Sequence, residues 1–540
     1  MADSTHTILH SAKRFFSGTL LSRISGLLRD MSMAYAFGVD ASIASFLLAF
    51  RFAHLLRRLF GEGALQSAFI PQFEEMRLQN EKTAYGFFCS LTCCISLILV
   101  ACILIFGLIL GSVLKWGNIS GANYEVIYLT ILMLPSLLFI CLYGLNASLL
   151  QCERYFFVSS VAPVAFNGIW IISVILLSQM SPQTAMPYLA IGVIGACFFQ
   201  WLWTVPKTWY FVRKAGIVSL FKESFAHFRN LSCIVKPLSL GILGVSATQI
   251  NSLIDALFAR HAELEGPAIL WYAMRLQQLP LALFGIAIAG AILPPLSRAI
   301  KSNNEERYTY FLSYGLTTTI ALMLPITAMI ICMGDTGINL IYGRGDFSHF
   351  AIQQTTLCLW AYGLGLIPSA LILILAPAYF AKSHYLIPVT TSLINMITNL
   401  ILNTIFIFVF NWGAFSVAIA TSISAWLNLY FLYSKMDISI INKRTTVAIF
   451  KLFFISLFSV TSVFLTRYLL GQLQVGFFSH MFWPKDFGIQ VYNMIFQISI
   501  FTLSVILGIL FTKLKVNELF FLNLNSKTGK STINEIKDCH

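Results

Sequence analysis

Fourteen apolar runs of about 20 residues or more, cut by short polar or Pro/Gly-marked turns, constrain what this chain can fold into. They lie near 15–37, 42–71, 85–114, 124–149, 156–179, 185–205, 234–259, 268–297, 308–333, 350–378, 385–410, 413–434, 446–470 and 488–512. In hydrocarbon a stretch of this length satisfies its own backbone hydrogen bonds only as a helix. The expected fold class is therefore an all-α polytopic membrane protein with 14 transmembrane helices. With 58% hydrophobic residues, 11% charged residues and a mean hydropathy of +0.79, the chain is too apolar for a soluble globule. The first seven residues are polar and the first long helix carries charge along its length, so that helix is expected to remain as the first span.

Lys and Arg orient the spans, because positive residues are retained on the cytoplasmic side. With both termini cytoplasmic, the outer side collects only Lys115, Arg260, Arg344, Arg467 and Lys485. Arg23, Arg29, Arg51, Arg57, Arg58 and Arg275 fall inside spans, and the rest of the 35 cations lie on the inner side. The net charge of +13 is thus a topological signature matched to anionic inner-leaflet lipid, and it argues for no nucleic acid partner. Residues 209–229 mix aromatics with Lys and Arg and are expected to form an amphipathic helix on that interface.

Sliding the segment 49–71 by 224 positions lays Ala49, Arg51, Leu55, Leu59, Phe60, Gly61 and Pro71 onto Ala273, Arg275, Leu279, Leu283, Phe284, Gly285 and Pro295 without a gap. Span two thus matches span eight, and the repeat unit is six spans. An even repeat returns the chain to the same side, which predicts two six-helix lobes related by a pseudo-twofold along the membrane normal, with a cavity between them. The expected organisation is an N-terminal lobe over 1–206, an interfacial linker over 207–233, a C-terminal lobe over 234–440, spans 13 and 14 over 441–513 and a cytoplasmic tail over 514–540.

Each arginine at mid-bilayer costs roughly 2.5–3.5 kcal/mol, so intramembrane charge normally faces a hydrated cavity or a partner. Arg51 and Arg58 lie seven residues apart on nearly one helix face, with Arg57 a quarter-turn round and Glu62 one turn beyond Arg58. Arg23, Arg29 and Asp30 sit around Gly26 in the first span, where Ser22 and Ser25 would permit a bend. Such a cluster suits an anionic headgroup, since Arg makes bidentate contacts to phosphate. The bland alternative is structural pairing, Arg29 with Asp30 and Arg58 with Glu62, and two carboxylates do not neutralise six guanidiniums.

A second polar set comprises Asp255, Asn399 and Asn403 one turn apart, and Thr421. Its oxygens suit Na⁺ better than a transition metal, and serve equally as ordinary interhelical hydrogen bonding. The 11 cysteines sit mostly singly in apolar runs and read as small core residues. Gly343 and Gly345 in IYGRGDFS, residues 341–348, mark a turn favouring positive φ. There is no HExxH, GxSxG or P-loop, so neither hydrolytic chemistry nor direct ATP drive is expected.

SRISGLLRD at 22–30, FLLAFRFAHLLRRLFGEGALQSAFIP at 46–71 and WYAMRLQQLP at 271–280 resemble signature segments of the MurJ (MviN) lipid II flippases of the MOP exporter superfamily. The resemblance runs through nearly the whole chain. It implies alternating access that carries lipid-linked disaccharide-pentapeptide from the cytoplasmic to the periplasmic leaflet of the inner membrane, alongside cell-wall synthesis machinery and without bond chemistry. By position it implies that Arg23, Arg29, Arg57 and Arg275 are cavity arginines, with Arg58 and Glu62 adjoining. It also implies that Asp255, Asn399, Asn403, the Val417 carbonyl and Thr421 match a sodium site of some members, and that the last two spans form a groove for the polyprenyl tail. Two departures stand out. Ala44 replaces a common acid, for which Asp40 one turn earlier is the candidate substitute, and Asn403 replaces an acid of the sodium-binding members. The rival expectations are another exporter of the superfamily, either an O-antigen-type lipid flippase or a cation-coupled drug antiporter, or a non-transporting membrane scaffold. Acid-lined pockets would mark the antiporter, and a scaffold has no need of six interior arginines.

Overall fold

The computed structural model describes residues 5–60, 64–214, 249–382, 384–436, 443–472, 486–514 and 519, and among them every regular element is helical. The chain divides into two compact units, Met1–Arg260 and His261–His540.

In the first unit α1 (Thr5–Phe37), α2 (Ala41–Phe60), α3 (Ala64–Gln79) and α4 (Glu81–Trp116) are followed by α5 (Gly121–Met133), α6 (Ser136–Cys152), α7 (Phe156–Leu177) and α8 (Pro182–Lys214). Residues 249–262 form α9. Helix α1 packs on α7, α7 on α8, α6 on α8, and α2 on α5. Side chains set several helix starts: Asp40 Oδ1 accepts from Ser42 N (2.8 Å) ahead of α2, and Asn80 Oδ1 accepts from Lys82 N (3.0 Å) ahead of α4.

The run 124–149, expected as one straight span, breaks into α5 and α6 with a bend of 46°. Pro135 causes it: proline has no N–H to donate, and Ser136 Oγ satisfies the Met133 carbonyl at 2.6 Å. Helix α8 continues to Lys214, so 209–214 extends a span instead of opening a separate interfacial helix; the remainder of that expected helix lies outside the described residues.

The second unit contains α10 (Gly266–Pro280), a π-helical turn (Leu281–Gly285), α11 (Ile286–Lys301), α12 (Glu305–Tyr342), α13 (His349–Leu364) and α14 (Leu366–Ala381). It continues through α15 (Leu386–Thr404), a second π-helical turn (Ile405–Val409), α16 (Phe415–Ser434), α17 (Lys443–Gln472) and α18 (Phe487–Thr512). Helix α12 is its axis, packing against α11, α13, α14, α17 and α18. Asn304 Oδ1, Ser348 Oγ and Asp486 Oδ1 cap α12, α13 and α18. At the glycine turn, Gly345 has φ +62° whereas Gly343 has φ −71°, so only the second glycine uses left-handed backbone.

The run 350–378 also breaks, into α13 and α14 with a bend of 41°. A break inside an apolar region must satisfy the carbonyls it frees. Ser422 Oγ donates to Ala361 O (2.6 Å) and Trp426 Nε1 to Leu364 O (2.9 Å), both from α16. Gly365 permits that approach, because a Cβ there would stand 3.0 Å from the Ser422 Cα.

Nine described helices are long and apolar enough to cross a membrane, or up to 11 when each bent pair is one span, which makes this a multi-pass membrane protein. The arginine-bearing α1 and α2 are not among the nine. Four of the nine described cysteines are buried, as expected of core residues, but Cys93 on α4 is exposed.

Candidate functional site

Arg29 is held on all sides. Its Nε and Nη2 donate to Asp30 Oδ1 at 3.1 and 2.8 Å, Nη1 donates to Asn167 Oδ1 at 3.2 Å, and the guanidinium carbon lies 4.8 Å from the centre of the Trp170 ring. Asn167, on α7, also donates from Nδ2 to Ser25 Oγ (2.9 Å) and Ser22 O (3.3 Å). One buried amide therefore ties the guanidinium to a turn of α1 that runs unbroken through Gly26. Below it, Trp170 meets Phe46, Phe50 and Phe166 edge-on or inclined, joining α7 to α2. The pairing with Asp30 named as an alternative is thus present, and three of the five guanidinium N–H groups are used. Arg23, six residues earlier, is exposed.

Arg51 is buried and donates from Nη1 to the Ser252 carbonyl of α9 at 3.0 Å. Arg260, which charge counting places in an outer loop, is instead a buried helical residue: Nη2 donates to Ser45 Oγ (2.9 Å) and Nη1 to Ala41 O (3.3 Å). These contacts, with the apolar cluster of Leu48, Val126 and Ala256, place α9 in the first unit up to Arg260. Ala44 is fully buried. Asp40 Oδ1 caps α2, which fixes this carboxylate one turn before Ala44. Arg57 and Arg58 fall in the last turn of α2, and their side chains, with Glu62, lie outside the described residues.

In the second unit, Arg275 is half-buried with its guanidinium carbon 4.2 Å from the Trp271 ring centre, one turn back on α10. Gln277 Nε2 reaches Tyr362 O at 3.5 Å, and the π-helical turn begins six residues after Arg275.

Of the second polar set, four members converge between α15 and α16. Asn403 Nδ2 donates to Asn399 Oδ1 (2.9 Å), Asn399 Nδ2 to Thr421 Oγ1 (3.3 Å), and Thr421 Oγ1 to Val417 O (2.8 Å). The relay turns donors toward the oxygens a cation would need and contains no carboxylate. Within these four residues Asn399 Oδ1, Thr421 Oγ1 and Val417 O already accept hydrogen bonds. Asp255 belongs to the first unit, buried, 3.5 Å from Asn251 Nδ2. No group of three or more His, Cys, Asp or Glu is placed to hold a metal among the described residues.

Asn167, Trp170, Trp271 and Arg260 are the contributors that sequence reasoning missed. Trp271 carried a signal, being four residues before Arg275. Asn167 carried none, because its partner lies 138 positions away.

The model of the family described as lipid II flippase MurJ matches residues 33–518. The probable lipid II flippase MurJ of Chlamydia pneumoniae is 33% identical over 438 residues, covering 80% of this chain and 77% of its own. That of Vibrio cholerae is 31% identical over 475 residues, 84% and 87% of the two chains. Among solved structures, a lipid II flippase MurJ in an inward closed conformation aligns with a TM-score of 0.73 at 23% identity, over 92% of this chain and 98% of that one. An inward-facing multidrug resistance MATE transporter of the MOP superfamily aligns with 0.57 at 14%, over 82% and 98%. These two show the fold. With the family model spanning most of its length and relatives a third identical over four-fifths of it, the chain belongs to the lipid II flippase MurJ family.

Proposed function

We propose that this protein is a flippase that carries lipid II, the polyprenyl-pyrophosphate-linked peptidoglycan precursor, from the cytoplasmic to the periplasmic leaflet of the inner membrane by alternating access. The observation that carries this reading is that Arg29 and Arg275, each within an expected span, are each laid over a tryptophan face inside the protein. Guanidiniums held this way suit a pyrophosphate, while the sugar-peptide head occupies hydrated space and the tail stays in lipid. The protein is a transporter that makes and breaks no bond.

Family membership supports fourteen spans with both termini cytoplasmic. The bent pairs α5–α6 and α13–α14 stand in corresponding fourth and tenth runs, in keeping with a six-span repeat of 1–206 and 234–440. Residues 441–513 then supply the tail groove. We take Arg23, Arg29, Arg51, Arg57, Arg58, Glu62 and Arg275 as the substrate set, with Arg51 serving through its hold on α9. The Asn399–Asn403–Val417–Thr421 relay is read as a helix–helix link, and no step of transport is routed through Na⁺.

Translocation of lipid II by the full chain in proteoliposomes tests the reading. Arg29→Ala and Arg275→Ala are expected to lower the rate at least tenfold in normally inserted protein. Wild-type rates in both variants would overturn it.

A further inference from the structure

A second set of buried polar side chains, separate from the arginine site, lies where α12 meets α17 and α18. Arg467 of α17 donates Nη2 to Asp335 Oδ2 (2.6 Å) and Nη1 to Asp335 Oδ1 (3.1 Å) and to Cys332 O (3.2 Å). One residue on, Thr336 and Gln497 of α18 exchange contacts at 3.0 and 3.2 Å. One turn further, Gln490 Nε2 reaches Asn339 Oδ1 (3.4 Å) and Gly343 O (3.5 Å). All these side chains are buried. Asp335 lies past the ninth apolar run, which ends at 333, and Arg467 falls near the outer end of the thirteenth, so their pairing is not foreseeable from the runs.

The contacts run in register along α12. Ala321 packs with Ala448, Leu452 and Ile455 at one end, Ala328 and Cys332 with Val463 and Phe501 in the middle, and the polar residues close the other end. Helix α17 therefore runs parallel to α12 and α18 antiparallel. In lipid, apolar packing alone gives helices little reason to stay together or to keep one register, because the acyl chains are as apolar as the side chains. A bidentate buried ion pair does both. Parting it would leave two charges without partners in a low-dielectric region, which is among the most costly single losses a helix contact can suffer.

We propose that this polar seam is a permanent clamp: α12, α17 and α18 travel as one body through the transport cycle, and the last hairpin does not slide on or swing from the second unit. The inference rests on the transport reading above only in speaking of a cycle.

The test uses the full chain in two arms. In the first, Asp335→Leu and Arg467→Met are made singly and together. Each single change is expected to lower the unfolding midpoint in detergent by at least 8 °C, and the pair together to recover to within 3 °C of wild type, because an apolar pair leaves no stranded charge. Additive losses would overturn the clamp. In the second arm, Ala328→Cys and Val463→Cys, with Cys332→Ala, are joined in proteoliposomes by a short bis-maleimide, to which each thiol adds. Lipid II translocation within twofold of the unlinked variant is expected, and arrest on linking would overturn the clamp. Should wild-type protein itself move no lipid II, the transport reading falls and the first arm alone decides the clamp.

Discussion

The Nη1 of Arg29 lies 3.2 Å from the Oδ1 of Asn167, a contact across 138 residues that holds the guanidinium from α7 as Asp30 holds it from its own helix. Asn167→Leu removes the acceptor and leaves buried donors unmet, a loss of about 1–3 kcal/mol that should lower the thermal midpoint in detergent. Asn167→Asp keeps an acceptor and adds a negative charge beside Arg29. It should stay folded yet translocate lipid II more slowly, and a wild-type rate there would show that the Arg29 charge does not meet the substrate.

Trp271 gives Arg275 an aromatic face at 4.2 Å. A partly desolvated contact of this kind is worth about 1 kcal/mol, or roughly fivefold in affinity. Trp271→Leu should weaken lipid II binding by that factor in a titration of purified protein, with Trp271→Phe falling between. Equal loss in the two variants would show that the aromatic face does not carry the effect.

Arg260 links α9 to the start of α2 through Ser45 and Ala41. Arg260→Met should destabilise the first unit by about 1–3 kcal/mol through the unmet Ser45 hydroxyl and Ala41 carbonyl, and Ser45→Ala by about 1 kcal/mol. Protease accessibility near 249–262 reports it, and an unchanged pattern in Arg260→Met would rule out this docking role.

Asn403→Asp should create a cation requirement. The aspartate sets a carboxylate against Asn399 Oδ1 where an amide now donates at 2.9 Å, and Na⁺ is the hard cation that relieves oxygen facing oxygen. The variant's thermal midpoint should rise by several degrees when NaCl replaces choline chloride, and the native protein's should not. A Na⁺ response in the native protein would show that its relay opens to a cation.

Much of the chain is legible without coordinates because spans are local: a run such as 85–114 becomes α4 whatever surrounds it. Pro135 likewise announces the break between α5 and α6, since the missing N–H belongs to the residue itself. Charge counting assigned Arg260 and Arg467 to the outer side without foreseeing their burial, because near a helix end composition does not distinguish a loop cation from a buried one. It failed for Asp335 because α12 extends nine residues past the apolar run.

A multi-helix membrane protein, its internal repeat and the arginines that set it apart are all written in the residues, because hydrophobic length and intramembrane charge are readable one residue at a time. What each charge faces emerges only on folding. Arg29 meets Asn167 and Trp170, Arg51 meets the backbone of α9, and Arg467 meets Asp335, so three similar letters in similar helices acquire three different surroundings. The physical reason is that a guanidinium's role follows from its partners, and partners from distant helices are chosen by packing, which leaves no local mark on the chain.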